Sequence, residues 1–304
     1  MLPHRFYSST LVDKEPELTA LAASFCWTIS SSIVERKGKS FSAVSMNFAR
    51  QVTALVTIGL LVVLFNGIGA IGNVGFNNLF FLAMSGLIGF SLGDSFLMSA
   101  FTRIGAQLTL LIFSISPVLA AILGRILFAE RLSSKSIFGM LIVIFAIMLV
   151  IAKGGNSNMK VKGDPRGLVF AFLASIGQAL GVILSKAGLG DVPPLAATEI
   201  RLLGGLIGIV IICSLGRKWM DVRRIFTSRQ GLTVNFGNAI IGTTMGVVLS
   251  MFAIKYTKVA IASTLMAMSP IMIIPVSRFY FKENITKVEI FGAVLSVIGV
   301  ALLV

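Results

Sequence analysis

Three charged residues lie inside long apolar stretches of this sequence. Asp94 interrupts one stretch, and Arg50 and Arg201 each lie about two helical turns inside another. A charged side chain within a membrane-spanning segment is costly, so each of the three is a candidate for function. Asp94 could bind a cation or a proton in a cavity, or act as a structural acid held by an arginine or by nearby hydroxyls. The arginines could attract an anionic substrate, or could reach the membrane interface or pair with Glu199 or Asp94.

A second group of candidates consists of aromatic and polar side chains within the apolar stretches. Trp27 and Gln178 are its largest members, and they occupy matching positions in the two halves of the chain. The smaller members are Ser31, Ser114, Asn238 and Thr264. An aromatic face with a few polar groups is the usual lining of a small-molecule pocket. Hydroxyls also bond to their own helix backbone, so none of these residues marks a pocket by itself.

Two prolines, Pro117 and Pro270, are expected in the middle of apolar helices. Proline removes a backbone hydrogen bond and kinks a helix. The carbonyl groups freed there, together with Ser116 and Ser269, could line a cavity or act at a hinge. The alternative is a static kink that serves only packing.

These candidates recur because the chain contains one unit twice. The stretch from Gly89 to Gly139 aligns without a gap on the stretch from Gly242 to Gly292, at an offset of 270 − 117 = 153. The front ends of the halves match at an offset of 201 − 50 = 151. Glycines, prolines and charges stay in register, which indicates an internal duplication. Asp94 is an exception, because a valine stands at its matching position.

The composition makes the lipid bilayer the solvent of this chain. Of its 304 residues, 56% are hydrophobic and 12% are charged, and the mean hydropathy is +0.95; a soluble domain carries roughly 25% charged residues. The net charge of +14 comes from short basic loops rather than from a nucleic-acid-binding surface. Cys26 and Cys213 lie in apolar runs, where small buried hydrophobes are expected and no disulfide or metal site is indicated. No cofactor is expected.

The sequence predicts an all-α polytopic membrane protein with ten transmembrane helices. A spanning helix needs about 20 largely apolar residues, and lipid cannot satisfy an open sheet edge. The predicted spans are 18–35, 44–65, 78–101, 106–128, 134–152, 166–187, 195–215, 232–254, 259–281 and 285–303. The predicted parts are a polar N-terminal segment at 1–17, a first five-helix repeat at 18–152, a linker at 153–165 and a second five-helix repeat at 166–304. A soluble α-helical protein is disfavoured.

An odd number of spans in each repeat has a topological consequence. The second copy must enter the membrane from the opposite side, which gives two inverted five-helix repeats, as in many secondary transporters. A solute site near the midplane follows from that geometry. The basic loops at 35–43, 153–166 and 216–231 lie on one side of a ten-span protein, so the charge bias predicts these loops inside and both termini outside.

The doubled pattern resembles the EamA-type branch of the drug/metabolite transporter superfamily. The resemblance is carried by Pro117 and Pro270, Glu130 and Glu283, Gly139 and Gly292, Trp27, and the matched Arg50 and Arg201. It covers roughly residues 18–303 and implies ten helices in two inverted halves around a central cavity. It also implies export or exchange of small metabolites without ATP. Both termini are cytoplasmic in this family, which is opposite to the orientation predicted from the loop charges.

The function predicted from the sequence is secondary transport of a small polar or amphipathic metabolite by alternating access, with possible proton coupling through Asp94. A flippase for a lipid-linked sugar is a close alternative. An intramembrane enzyme is disfavoured, because an aspartyl protease needs a second facing acid and a rhomboid-type protease needs a membrane histidine, whereas the only histidine is His4. The expected partners are a small-molecule substrate and the lipid bilayer, with no nucleic acid, in a multi-pass plasma-membrane protein that is a monomer or a homodimer.

Overall fold

A computed structural model describes residues 16–37, 40–67, 69, 71–153, 164–269, 271–272, 274 and 286–303. Within these ranges the chain is helical and contains no strand. The helices of the first half are α1 Pro16–Lys37, α2 Ala43–Asn66, α3 Phe76–Gly86, α4 Asp94–Phe113, α5 Ser116–Phe128 and α6 Ser134–Lys153. Those of the second half are α7 Pro165–Leu189, α8 Pro194–Leu215, α9 Trp219–Thr227, α10 Arg229–Gly237, α11 Gly246–Tyr256, α12 Val259–Met266 and α13 Lys287–Leu303.

Capping side chains fix several of the helix ends. The hydroxyl of Ser42 accepts a hydrogen bond from the Ser45 N–H at 3.2 Å and begins α2. Asp164 accepts from the Arg166 N–H at 3.0 Å and begins α7. The Arg103 guanidinium also donates to Asp164, at 2.8 Å. These two hydrogen bonds hold the pKa of the Asp164 carboxyl below its usual range, and the bond from Arg103 has the larger effect.

Six helices in the described part of the chain are long and apolar enough to cross a membrane. They are Pro16–Val34, Ala43–Asn66, Phe76–Ala100, Pro165–Leu189, Pro194–Leu215 and Arg229–Tyr256. Shorter apolar helices run over Ser116–Phe128, Ser134–Val150 and Ile290–Leu302. The protein is therefore a multi-pass helical membrane protein, while the full set of ten spans stays a prediction. The part of the predicted span 259–281 that follows Ser269 lies mostly outside the described residues.

The turn at Ser114–Ile115 interrupts the helix inside the predicted span 106–128, in addition to the predicted break between the third and fourth spans. The backbone keeps helical geometry over Asp94–Phe113. Proline is the reason, because Pro117 cannot donate the hydrogen bond that would continue α4 into α5.

The chain nevertheless reverses its direction within α4. A Cβ atom on Gly167 would lie 3.0 Å from the Cβ of Arg103, whereas the Ser175 hydroxyl donates to the Ile112 carbonyl at 3.1 Å. Gly167 and Ser175 are about 12 Å apart along α7. A straight helix that leaves α7 at Gly167 could not return to Ser175. The chain therefore turns back between Arg103 and Ile112, next to the predicted break between the third and fourth spans.

Helix α2 runs parallel to the continuous helix formed by α10 and α11. Asn235 donates to the hydroxyl of Thr53 at 2.8 Å, and the hydroxyls of Thr57 and Thr244 lie 2.7 Å apart. Both partners advance in the same direction along their helices. Helix α2 therefore packs against α10–α11 of the second half through a row of polar contacts.

The contacts of α8 give the direction of α3 relative to α2 and to α10–α11. It runs parallel to α3, since Ala83 lies against Gly204 and Ser91 lies against Gly208. It runs antiparallel to α2, since Gly59 contacts Glu199 and Gln51 contacts Gly205. Helix α3 is thus antiparallel to α10–α11, its counterpart in the second half, which is consistent with inverted repeats.

Candidate substrate site

Two π-helical segments occupy matching positions in the two halves. The first is Leu87–Gly93, between α3 and α4, and the second is Asn238–Met245, between α10 and α11. At the repeat offset of 153, Leu87 corresponds to residue 240, which lies inside the second segment. Segments of π-helix disturb the regular backbone bonding of a helix and are frequent at functional sites. The sequence analysis did not predict them, since hydrophobicity alone does not distinguish a π turn from an α turn.

Each π segment packs closely against a helix of the other half. A Cβ atom on Gly177 of α7 would lie 2.9 Å from the Cα of Gly93. In the matching contact, a Cβ atom on Gly246 would lie 2.6 Å from the indole nitrogen of Trp27 on α1. Small residues therefore let backbones approach at the first segment, while a tryptophan fills the equivalent space at the second.

Arg50 and Asp94 form an ion pair beside the first π segment. The Arg50 guanidinium donates a hydrogen bond to the Asp94 carboxylate, and the two side chains are 24% and 21% exposed. Arg50 also donates through Nε to the side-chain oxygen of Asn47 at 2.9 Å. Asn47 in turn donates to the carbonyl of Phe90, a residue of the π segment, at 2.9 Å. The pair is therefore anchored to the irregular backbone, and Asp94 does not bond to the neighbouring serine hydroxyls.

Arg201 occupies the matching position in the second half but has different surroundings. Its Nε donates to the Ser85 hydroxyl at 2.8 Å, its Nη1 lies 3.4 Å from the Met251 sulfur, and its guanidinium lies over the Phe90 ring at 4.6 Å. Arg201 is only 5% exposed, and no carboxylate pairs with it among the described residues. A valine, Val247, stands where a second Asp94 would be. With Arg50 and Asp94, this arginine leaves the site with a net positive charge.

Three further candidate residues lie around the same π segments. Trp27 is half-buried, and its indole donates to the Gly242 carbonyl at 2.9 Å. Asn238 accepts from the Ser30 hydroxyl at 2.6 Å. Gln178 lies beside the first segment, because a Cβ atom on Gly93 would be 3.7 Å from the Gln178 backbone nitrogen.

Ser114 and Pro117 lie at the interruption of the fourth apolar segment. Pro117 is in the first turn of α5, so the expectation that it lies in mid-helix is wrong. Ser114 is buried in the preceding turn. The Ser175 hydroxyl bond to the Ile112 carbonyl ties this interruption to α7, about one turn from Gln178.

The second half shows the same construction with different partners. Helix α12 ends at Met266, and a turn at Ala267–Met268 matches the turn in the first half. The Ser269 hydroxyl donates to the Ser24 carbonyl at 3.2 Å, which ties the interruption to α1. Pro270 itself is outside the described residues.

The two remaining candidates add little to this polar site. Ser31 lies on helical backbone, but its side chain is outside the described part of the structure. The hydroxyl of the fully buried Thr264 donates to the carbonyl of Ala260, one turn back on its own helix, at 2.7 Å. Its polar group is therefore used locally.

The sequence analysis missed Asn47, which orients Arg50, and the threonine and asparagine pairs that join α2 to α10–α11. A signal was available for Asn47, because an amide three residues before a membrane arginine lies on the same helix face. Glu199 was treated only as a partner for the two arginines. In the structure it is buried against Gly59, and its Oε2 has no hydrogen-bond partner in the described part of the chain.

A cavity of about 420 Å³ opens at one end of the helices, and we call it the charged mouth. It is lined by Glu17, Glu130, Lys186, Lys255, Tyr256, Thr257, Lys258 and Ile261. Both carboxylate oxygens of Glu130 accept from the Val259 N–H, at 3.1 and 2.9 Å, so Glu130 of the first half caps α12 of the second. Lys186 donates to the carbonyls of Ile254, Lys255 and Thr257 at 2.6, 3.2 and 2.8 Å. The Glu130 bonds join the two halves at this face, whereas the Lys186 bonds tie α7 to the end of α11 within the second half.

Comparison with protein families gives a match over both halves. The model of the EamA-like transporter family matches residues 15–152 and again residues 165–304. The two matches together account for most of the chain and meet at the predicted linker.

Two individual relatives are also named as transporters. An uncharacterized transporter of Archaeoglobus fulgidus is 24% identical over 287 residues, which covers 94% of this chain and 96% of that protein. The uncharacterized transporter YyaM of Bacillus subtilis is 24% identical over 233 residues, covering 77% of this chain and 70% of its own length. One crystal structure, 14% identical, has a TM-score of 0.73 and covers 96% of this chain and 97% of its own, which shows likeness of fold alone.

Proposed function

The chain belongs to the EamA-like transporter family, and we propose that it is a secondary transporter that moves a small polar or amphipathic metabolite by alternating access. Membership in the family makes it a membrane transporter. The transport mechanism and the substrate class go beyond family membership and are our proposal.

The observation that carries the proposal is the polar centre between antiparallel counterparts. Helix α3 and its counterpart α10–α11 run in opposite directions, and both are interrupted by π segments at matching positions. The Arg50–Asp94 pair lies at one of these segments and the Trp27 indole at the other. Irregular backbone and charged groups inside a membrane are tolerated where protein surrounds them or where they line a water-filled path, and we propose the second setting here.

The interrupted helices supply candidate hinges. Turns at Ser114–Ile115 and Ala267–Met268 divide matching apolar segments of the two halves. Each turn is tied to a helix of the opposite half, through Ser175 or Ser269. A movement of one half against the other would bend these segments at the turns and would open or close the charged mouth.

The charge of Arg201, which has no ion-paired carboxylate among the described residues, favours a substrate with an anionic group. Arginine presents five N–H donors in a planar fork, and only Nε of Arg201 has an oxygen acceptor in the described structure. A buried cation without a directly paired acid is unfavourable in a membrane. A carboxylate or phosphate of the substrate would remove that cost.

The proposal also covers the coupling ion, the membrane and the oligomeric state. Asp94 is the proposed proton site, because its carboxylate is partly exposed and its ion-pair partner among the described residues is Arg50. We place the transporter in the plasma membrane as a monomer or a homodimer. Flipping of a lipid-linked sugar is the alternative that the same experiment decides.

The test is a transport screen with the purified chain in proteoliposomes. A panel of small metabolites, with and without a carboxylate or phosphate, is compared for uptake and for stimulation by unlabelled solute inside. We expect saturable uptake with counterflow, with anionic solutes losing most of their flux in Arg201→Gln. Matched controls are empty liposomes and Ser99→Ala, a change elsewhere on α4.

Flux without saturation or counterflow would indicate a channel. Movement of a fluorescent polyprenyl-linked sugar, with no soluble substrate in the panel, would favour the flippase. Equal flux of anionic solutes in wild type and Arg201→Gln would reject the assigned role of Arg201 and leave the carrier mechanism standing.

A further inference from the structure

Helix α9 is a short helix that lies against the end of the bundle opposite the charged mouth. Its inner side chains Val222 and Ile225 are buried, and Trp219 contacts the ring of Phe48 on α2 at 5.1 Å in an edge-to-face arrangement. Asp221 accepts a hydrogen bond from the Ser42 N–H at 2.6 Å, next to the start of α2. These contacts fix α9 across the helix ends, at the level where the membrane meets water.

Large apolar side chains are also exposed on α9, at the edges of its buried face and opposite it. Trp219 is 42% exposed, Met220 is 76% exposed and Phe226 is 38% exposed. A soluble surface rarely carries three such residues on nine helical positions. Tryptophan and phenylalanine at the end of a membrane bundle are suited to the boundary between headgroups and acyl chains.

The charges around these apolar side chains are almost all positive. The exposed basic residues of α9 and its flanks are Arg217, Lys218, Arg223, Arg224 and Arg229. The single acid of this segment, Asp221, accepts from the Ser42 N–H and offsets one of the five cations, which leaves a net charge of 5 − 1 = +4. A basic helix with exposed aromatic residues is complementary to a negatively charged lipid surface.

We propose that the exposed face of α9 with its flanking basic residues, the α9 surface, binds the headgroups of anionic phospholipids. Trp219 and Phe226 reach the acyl boundary, and the arginines contact the phosphates. The attraction is greatest in the cytoplasmic leaflet, where anionic lipids are concentrated. The α9 surface would then lie in the cytoplasm, in agreement with the orientation expected from the loop charges. This binding does not depend on the transported substrate.

The test uses the full chain in nanodiscs and the fluorescence of Trp219. The chain has two tryptophans, so Trp27→Phe leaves Trp219 as the single probe. Brominated phosphatidylglycerol and brominated phosphatidylcholine are compared as quenchers at equal content. We expect the anionic lipid to quench more strongly. In Arg223→Gln/Arg229→Gln the preference should fall about fivefold for each arginine, since one surface cation contributes about 1 kcal/mol of attraction.

The matched control removes two exposed basic residues near the opposite end of the bundle, in Arg131→Gln/Lys135→Gln, and should keep the preference. Native mass spectrometry of the unmodified chain gives a second measurement if Trp27→Phe does not fold, and retained phosphatidylglycerol is the expected result. Equal quenching and equal retention of the two lipids would overturn the proposal. So would self-association through α9, detected as crosslinking between Met220→Cys chains, because a second copy would then cover the surface.

Discussion

Arg50 and Asp94 are joined by a hydrogen-bonded ion pair that links α2 to the start of α4, beside a π-helical segment. The duplicated half has the arginine, Arg201, without the acid. The repeat places Arg50 and Arg201 at matching positions, but the charges around the two arginines differ. The first half holds a hydrogen-bonded pair, and the second holds an arginine without an ion-paired acid of its own, whose charge interacts with Asp94 at longer range.

The first prediction concerns this pair. Asp94→Asn leaves Arg50 without its counter-ion, so we expect a loss of stability of about 2 kcal/mol, below the roughly 3–5 kcal/mol of a fully buried pair because both side chains are partly exposed. We also expect it to abolish proton-coupled flux. The measurements are thermal unfolding in detergent and uptake as a function of pH.

The double variant Arg50→Gln/Asp94→Asn serves as the control. It removes both charges, and it should recover part of the lost stability. Unchanged pH dependence of flux in Asp94→Asn would remove Asp94 from the coupling mechanism.

A second prediction concerns the contact between α3 and α8. A Cβ atom on Gly86 would lie 1.8 Å from the Arg201 carbonyl oxygen, and one on Gly204 would lie 2.1 Å from that of Ala83. Because these neighbours are backbone atoms, they cannot rotate away. Gly86→Ala and Gly204→Ala should each destabilise the protein by about 3 kcal/mol, at the upper end of overpacking costs, as measured by thermal unfolding.

Gly72→Ala is the matched control for these glycines. The nearest atom to its Cβ would be 3.8 Å away, so the change should stay within about 0.5 kcal/mol. If the two α3–α8 variants were as stable as this control, the close approach of these helices would be wrong.

A third prediction concerns the closure of the charged mouth. Glu130→Ala removes the acceptor that caps α12, so we expect a loss of about 1–2 kcal/mol. We also expect the mouth to be more open, so that a cysteine introduced by Thr257→Cys reacts faster with a water-soluble maleimide. The measurement is the labelling rate in a background without Cys26 and Cys213.

Ser133→Ala provides the comparison. Ser133 accepts from the Ser136 N–H at 3.0 Å and caps only its own helix α6. It should lose similar stability without changing the labelling of residue 257. Equal labelling in both variants would contradict a gating role for Glu130.

A fourth prediction concerns orientation in the membrane. Asn73 is exposed in the loop after α2, and the start of α2 lies at the α9 surface, so Asn73 and α9 are at opposite faces. From the charge bias, a cysteine at Asn73→Cys should react with an impermeant reagent applied to intact cells, whereas Thr227→Cys should react only after lysis. The reverse pattern would give the orientation usual for the family.

The amino-acid sequence by itself determined the membrane class, the duplication and the family. Apolar stretches of spanning length need lipid around them, and a register held by Gly89, Pro117 and Glu130 and their counterparts does not depend on any contact in space. The sequence also identified Arg50, Asp94 and Arg201 as costly charges, because their cost follows from the apolar residues beside them along the chain.

Only the tertiary structure decided what those charges contact. Arg50 and Asp94 are 44 positions apart, and their pairing depends on how α2 packs against α4. The same limit applies to the cap that Glu130 provides for Val259 and to the π segments, which arise where two helices of opposite halves meet. Periodicity specifies which face of a helix is apolar, whereas the partner on that face is set by the packing of both halves together.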